Sequence, residues 1–189
     1  MNIDITGYAT MRDFPKILIS SFEIAMPPVL SQNYGNYFDN SEKILKEENV
    51  GTILNVANDV KKHNLHDEMY ERLGIKYIFL GINDTLLDPP PKSFLPKVLE
   101  IYQDHIKEHG QEKAFLVNCM SGINRSALAV AVILWKTTIP RKWSTIDDMI
   151  EEMRYIQIRD RSIAWILNND NFVSYLKEWC ENNYYSNNY

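Results

Sequence analysis

An α/β domain, with a central, mostly parallel sheet flanked by helices, is the fold class this sequence predicts. Three observations carry that prediction. GTILNVA at 51–57, IKYIFLGI at 75–82 and AFLVN at 114–118 are short, nearly continuous apolar runs rich in β-branched and aromatic residues. Such runs read as strands buried on both faces, as in parallel sheets. Between and after them lie longer stretches with apolar residues at helical spacing, and strands alternating with helices give a parallel sheet. Finally, 189 residues with no linker or repeat suffice for one well-packed domain and are short for two.

The elements come in order along the chain. KILIS at 16–20 is a first strand. IAMPPVLSQNYGNYFDN at 24–40 is rich in proline, glycine and asparagine and reads as a long surface loop. Asp39 or Ser41 can cap a helix running to Glu48, with Ile44 and Leu45 inward. GTILNVA is the second strand, DEMYERLG at 67–74 a short helix ended by Gly74, and IKYIFLGI the next strand. DPPPKS at 88–93 is a turn, and a helix from Ser93 to His109 carries Phe94, Val98, Ile101, Tyr102 and Ile106 on one face. AFLVN comes after Gly110. Ser126 to Trp135 is apolar all round and reads as a central helix. Ser144 to Ile156 turns Ile146, Met149, Ile150 and Met153 inward; Asn169 to Cys180 does the same with Phe172, Leu176 and Trp179. ENNYYSNNY at 181–189 is a polar, Asn/Tyr-rich tail beyond a single domain at 1–180.

Composition narrows the function classes. With 45% hydrophobic and 24% charged residues the chain is an ordinary globular protein. A net charge of −5 argues against a nucleic-acid-coating surface. The longest apolar run, ALAVAVILW, is too short to span a bilayer, and the first residues lack a signal-peptide pattern. Two cysteines, Cys119 and Cys180, are no disulfide scaffold. The expectation is a cytoplasmic setting, with the nucleus also open, no membrane partner and a thiol free to react.

The chemistry concentrates in VNCMSGINRS at 117–126, which joins a buried strand to a buried helix. Sites in parallel α/β sheets lie outside the carboxyl ends of strands. Backbone N–H groups in such a turn, with the unpaired N–H groups opening the helix, make a cradle for an oxyanion or phosphate. Gly122 permits a backbone conformation that a Cβ would resist, and Arg125 adds a planar fork matching two phosphate oxygens. Cys119 sits at the mouth of the cradle, where helix N-termini and cations favour a reactive thiolate. A thiolate beneath a phosphate can attack phosphorus and form a covalent intermediate. Ser126 can hydrogen-bond the departing thiolate. Met120, Ser121, Gly122, Ile123 and Asn124 supply the rest of the phosphate-binding loop.

The spacing Cys-x5-Arg-Ser, with this glycine and this strand–loop–helix setting, resembles the signature of the cysteine-based protein tyrosine phosphatases, specifically the dual-specificity phosphatases. The resemblance runs from KILIS through GTILNVA, GIKYIFLGINDT and the signature to NNDNFVSYL, roughly residues 16–176. It implies the tyrosine-phosphatase-like fold and a cofactor-free, metal-free hydrolysis of phosphate monoesters through a cysteinyl phosphate. It also implies a phosphorylated protein as substrate.

A phosphate ester needs its leaving oxygen protonated, and a carboxylic acid on a separate loop is the usual donor. GINDTLLDPPP holds Asp84 and Asp88. Asp84 directly follows a strand and matches the family's acid-bearing loop; Asp88 is the alternative. One residue departs from the family pattern. Histidine normally precedes the cysteine, and here it is Asn118, which can hydrogen-bond but carries no positive charge. A slower enzyme, active at higher pH, is the expectation; a phosphoprotein-binding pseudo-phosphatase is the alternative. None of the five variable loop residues is basic, which argues against inositol phospholipids. Gly-Ile-Asn-Arg also resembles the loop of RNA 5′-phosphatases, but those lack an equivalent of Asp84.

Other features have plainer readings. His63 with His66, and His105 with His109, have no further ligand nearby and read as helix residues, with no metal site expected. Arg154, Arg159 and Arg161 read as surface charges or as a second anion pocket. The four tryptophans read as packing residues, and Cys180 as structural.

Overall fold

The computed structural model describes residues 8–13, 15–28, 34–86, 88–140 and 142–183. Its five strands are β1 (Tyr8–Asp13), β2 (Lys16–Ser20), β3 (Val50–Ala57), β4 (Lys76–Ile82) and β5 (Ala114–Asn118). Its seven helices are α1 (Phe22–Ala25), α2 (Tyr34–Glu47), α3 (Asn64–Leu73), α4 (Phe94–His109), α5 (Arg125–Thr137), α6 (Ile146–Arg161) and α7 (Asp170–Asn182). The sheet order is β1-β2-β5-β3-β4. β1 pairs antiparallel with β2, and every other pairing is parallel.

The expected α/β architecture is therefore present, with one strand unforeseen. β1 was not read as a strand because only Ala9 and Met11 of its six residues turn inward. It sits at the edge of the sheet, paired to β2 and packed against α6, with Ala9 and Met11 in the core.

Burial follows the sheet centre. Every residue of β3 and β5 is buried, as the unbroken apolar runs require, whereas β4, read the same way, lies at the sheet edge and buries only Ile82. α2 packs on β3 and α3, while α5 packs on β2, β3 and β5 and touches α4, α6 and α7. Its residues from Arg125 to Trp135 are all buried, so the helix that is apolar all round is the central one.

Three boundaries differ from expectation. α2 begins at Tyr34, well before Asp39 or Ser41, and α1 occupies part of the expected 24–40 loop. Tertiary contacts override the weak local propensity: Ser41 is fully buried and its hydroxyl donates to the Ile24 carbonyl, and Phe38 stacks on His66 at 5.4 Å. The part of that loop at 29–33 lies outside the described residues. α6 continues five residues past Ile156 because its last turn buries Gln157 and Arg161 against the site. α7 runs to Asn182, into the expected tail; the remainder of that tail, 184–189, lies outside the described residues.

The histidines serve the frame. His66 Nδ1 accepts the His63 backbone N–H at 2.9 Å in a capping box, and its Nε2 meets the Pro27 carbonyl at 2.8 Å. His105 bridges Thr52 Oγ1 at 2.9 Å and the Lys113 carbonyl at 3.2 Å, tying α4 to β3 and to the entry of β5. Among the described residues no helix is long and apolar enough to cross a membrane.

Candidate active site

Four parallel strands end on one edge of the sheet, and residues just beyond those ends build the site. After β5 comes Cys119, after β4 comes Asp84, and two residues beyond β3 comes Asp59. The loop 119–124 crosses over the end of β2. A Cβ on Gly122 would lie 2.7 Å from the Ser20 backbone and 2.6 Å from Arg161 Nη1, and Gly122 has φ +67°. Only glycine satisfies both the conformation and the space.

The loop's carbonyls are all turned outward and held there. Met120 O accepts from Phe22 N–H at 3.3 Å. Ser121 O and Gly122 O accept from Arg161 Nη2 and Nη1 at 2.9 and 3.0 Å. Ile123 O accepts from Leu167 N–H at 3.2 Å. In a trans peptide the C=O of one residue and the N–H of the next point opposite ways. The N–H groups of residues 121–124 are thereby turned to the inner side, and the Gly122 N–H reaches Cys119 Sγ at 3.2 Å. Asn124, at the cap of α5, makes no side-chain capping bond to the helix, which leaves the opening N–H groups free for an anion.

Cys119 is buried, and its Sγ lies 3.3 Å from Ser126 Oγ, at the start of α5. Neither Cys119 nor Cys180 is in a disulfide. The Arg125 guanidinium is buried and its Nη1 and Nη2 hold Asp59 at 2.5 and 3.2 Å. Burial works against that charge, but the hydrogen bonds to Asp59 and the charges of Cys119, Asp59 and Asp84 outweigh it and raise the guanidinium above its ordinary value. Hydrogen bonding to Arg125 holds the Asp59 carboxyl below the usual carboxylate range. Burial pushes Arg161 down, partly offset by Cys119.

Asp84 is exposed at the rim, where Asn169 Nδ2 reaches its Oδ1 at 2.9 Å and Asn124 Nδ2 its Oδ2 at 3.2 Å. It lines a cleft of about 160 Å³ together with Cys119, Ser121, Ile123, Asn124 and Arg125. Asp88 is not part of that lining; its backbone N–H caps back onto Thr85 Oγ1 at 3.2 Å. The Met120 side chain packs against the core, so only its backbone faces this region.

Three contributors were not singled out in the sequence. Asp59 follows a buried strand on the site edge, a position that strand order alone could have flagged. Asn169 is legible as a helix cap, but its second contact, to Asp84, spans 85 residues. Trp165, read as a packing residue, is 59% exposed on the cleft wall. Of the arginine cluster, Arg154 and Arg159 keep the local ion pairs read for them, and only Arg161 departs. Arg154 binds Glu151 and the Ile166 carbonyl, and Arg159 binds Asp160, while Arg161 is buried under the loop, where it holds two loop carbonyls.

A thiol under a ring of loop N–H groups, at the start of a helix opened by arginine, defines an α/β phosphatase fold of the cysteine-based tyrosine phosphatase superfamily. The model of the family described as dual specificity phosphatase, catalytic domain, matches residues 34–182, and the chain belongs to that family. No curated protein matches it significantly. Among solved structures, a mouse putative dual specificity phosphatase complexed with zinc tungstate is similar at 16% identity and TM-score 0.64, over 94% of this chain and 89% of that one. Human DUSP28 is similar at 17% identity and TM-score 0.62, over 90% and 95%. PTPMT1 in complex with PI(5)P is similar at 17% identity and TM-score 0.59, over 93% and 98%. These likenesses are likenesses of fold; the family match makes the domain a phosphatase of the cysteine-based type.

Proposed function

We propose that this protein removes phosphate from phosphotyrosine and from phosphoserine or phosphothreonine in proteins, in two steps through a cysteinyl phosphate. The observation that carries the reading is Cys119 Sγ, with the Gly122 N–H at 3.2 Å, Ser126 Oγ at 3.3 Å and Arg125 opening the helix behind it. The loop N–H groups of 121–124 and Arg125 bind the phosphate dianion and the extra charge that develops on its equatorial oxygens. The Cys119 thiolate attacks phosphorus as the ester P–O bond breaks, and Asp84 gives its proton to the leaving oxygen. Asp84, now a carboxylate, takes a proton from water as that water attacks phosphocysteine. The S–P bond breaks, inorganic phosphate leaves, and Ser126 hydrogen-bonds the thiolate as it departs. A thiolate nucleophile belongs in a reducing compartment, so cytosol or nucleus is the setting proposed.

Phosphoinositides are a second reading, because one similar structure is described as a complex with PI(5)P. The loop residues Met120, Ser121, Gly122, Ile123 and Asn124 carry no cation for the additional phosphates, which favours a protein substrate.

Hydrolysis of an aryl phosphate, a phosphopeptide, PI(5)P and a 5′-triphosphorylated RNA separates the readings. Cys119→Ser should abolish turnover of every substrate used. Asp84→Asn should lower turnover of phosphothreonine peptide more than that of aryl phosphate, whose leaving group needs less protonation. Wild type no faster than Cys119→Ser would leave a phosphoprotein-binding module in place of an enzyme. Best turnover on RNA, with Asp84→Asn harmless, would favour an RNA 5′-phosphatase.

A further inference from the structure

A large indole left in water beside a reaction cleft calls for a physical reason. Trp165 is 59% exposed, while the residues directly after it, Ile166 and Leu167, are fully buried. The exposure is not that of a loose loop. Arg154 Nε and Nη2 hold the carbonyls of Ile166 and Leu167 at 3.2 and 3.4 Å. Leu167 N–H is bonded to Ile123 O at 3.2 Å, and Asn168 N–H to Asn124 Oδ1 at 3.0 Å. Two residues of the phosphate loop itself therefore hold the segment that carries the indole. Leu167 adopts φ +48°, a left-handed conformation that is strained in a bulky residue and persists only where surrounding contacts impose it. That turn lets the chain bury two side chains in succession while leaving the indole on the cleft wall.

The cleft is small. Its volume is about 160 Å³ and its lining includes Cys119, so a phosphate seated on Cys119 places a phosphotyrosine ring among the other lining residues. Of the residues lining the cleft, the large apolar ones are Ile123 and Trp165.

Resting on the phosphatase reading above, we propose that Trp165 is the specificity-determining wall of this site, and that stacking on its indole makes phosphotyrosine the preferred protein substrate. An aromatic pair contributes beyond the area it buries, and an indole face suits the edge or face of a phenyl ring. A phosphoserine or phosphothreonine side chain has no ring to place there. Asp84 and Arg125 act at the leaving oxygen and the phosphate, so the part of the discrimination that depends on the ring itself falls to the apolar rim.

The test is the ratio of kcat/KM for phosphotyrosine and phosphothreonine peptides of identical flanking sequence. Trp165→Ala should lower that ratio about tenfold, the equivalent of one good aromatic pair. Trp165→Phe should restore most of it, and Tyr155→Ala, an exposed aromatic elsewhere on the surface, should leave it unchanged. An unchanged ratio in Trp165→Ala, or an equal fall for both peptides, would overturn the proposal. Binding of phenyl phosphate and glycerol phosphate to Cys119→Ser provides a readout independent of turnover. Phenyl phosphate should bind more tightly, and Trp165→Ala in that background should remove the difference. If wild type turned over neither peptide but this difference in binding stood, the catalytic reading would fail and the aromatic wall would remain. Equal binding of the two esters would overturn the wall itself.

Discussion

Asn118 closes β5 directly before Cys119, and its side chain is wholly buried with neither amide atom hydrogen-bonded. Ser20, its partner across β2, has an equally buried and unpartnered hydroxyl. An unpaired buried amide costs about 1–3 kcal/mol. Asn118→Leu, close in volume, should therefore raise the unfolding free energy by about 1 kcal/mol in denaturant melts. Because the amide makes no bond to the loop, kcat should not change. A large fall in kcat would show that the amide acts in the cycle. Asn118→His should instead raise kcat, since it brings a cation beside the thiol. The residues of the phosphate loop were readable in the sequence because they lie within eight consecutive positions, Cys119 to Ser126. Asp59 and Arg161 were not. Arg125 meets Asp59 across 66 residues, and Arg161 meets Gly122 across 39. Only the folded chain brings them together.

α4 carries a pH dependence that belongs to the element as a whole. His105 is buried between β3 and the entry to β5, in ring contact with Tyr102, His109 and Phe115. Burial is the main force pushing its imidazole down from 6.5 to about 4; His109 and Lys76 add to it, while the Lys113 carbonyl and Glu108 oppose it. The charged form is disfavoured only in the folded state, so below the ordinary value the unfolded chain binds more protons. The stability His105 contributes is complete above about pH 6.5 and falls progressively toward pH 4, by up to roughly 3 kcal/mol. His105→Gln keeps one donor and one acceptor without the titration. Denaturant melts at pH 7 and pH 4.5 should show a smaller loss for the variant than for wild type. An identical loss would place the acid sensitivity elsewhere. Helix types were legible from spacing, as in α5, whose apolar face is its whole circumference. Boundaries were less so: α6 ends in QIRDR, which reads as surface, yet Gln157 and Arg161 are buried because the phosphate loop lies over them.

The whole molecule has one continuous apolar core among the described residues, from Ala9 and Met11 of β1 to Leu176 and Cys180 of α7. α5 runs through it in contact with three strands and three helices. Because α5 joins most of the strands and helices in one core, thermal unfolding should be a single cooperative transition. Tryptophan fluorescence and far-ultraviolet circular dichroism should give one midpoint; separated midpoints would mean two folding units. At this scale the sequence by itself determined the α/β class, the parallel strands, with β3 and β5 buried, the central helix and the loop that holds Cys119, Arg125 and Ser126. These arise from local apolar period and from groups close along the chain. The tertiary structure alone decided which carboxylate lines the cleft, which acid holds Arg125, what turns the loop carbonyls outward, and why one tryptophan stays in water. Each of those depends on where separate strand ends and loops converge, which the sheet order β1-β2-β5-β3-β4 sets and no local pattern encodes.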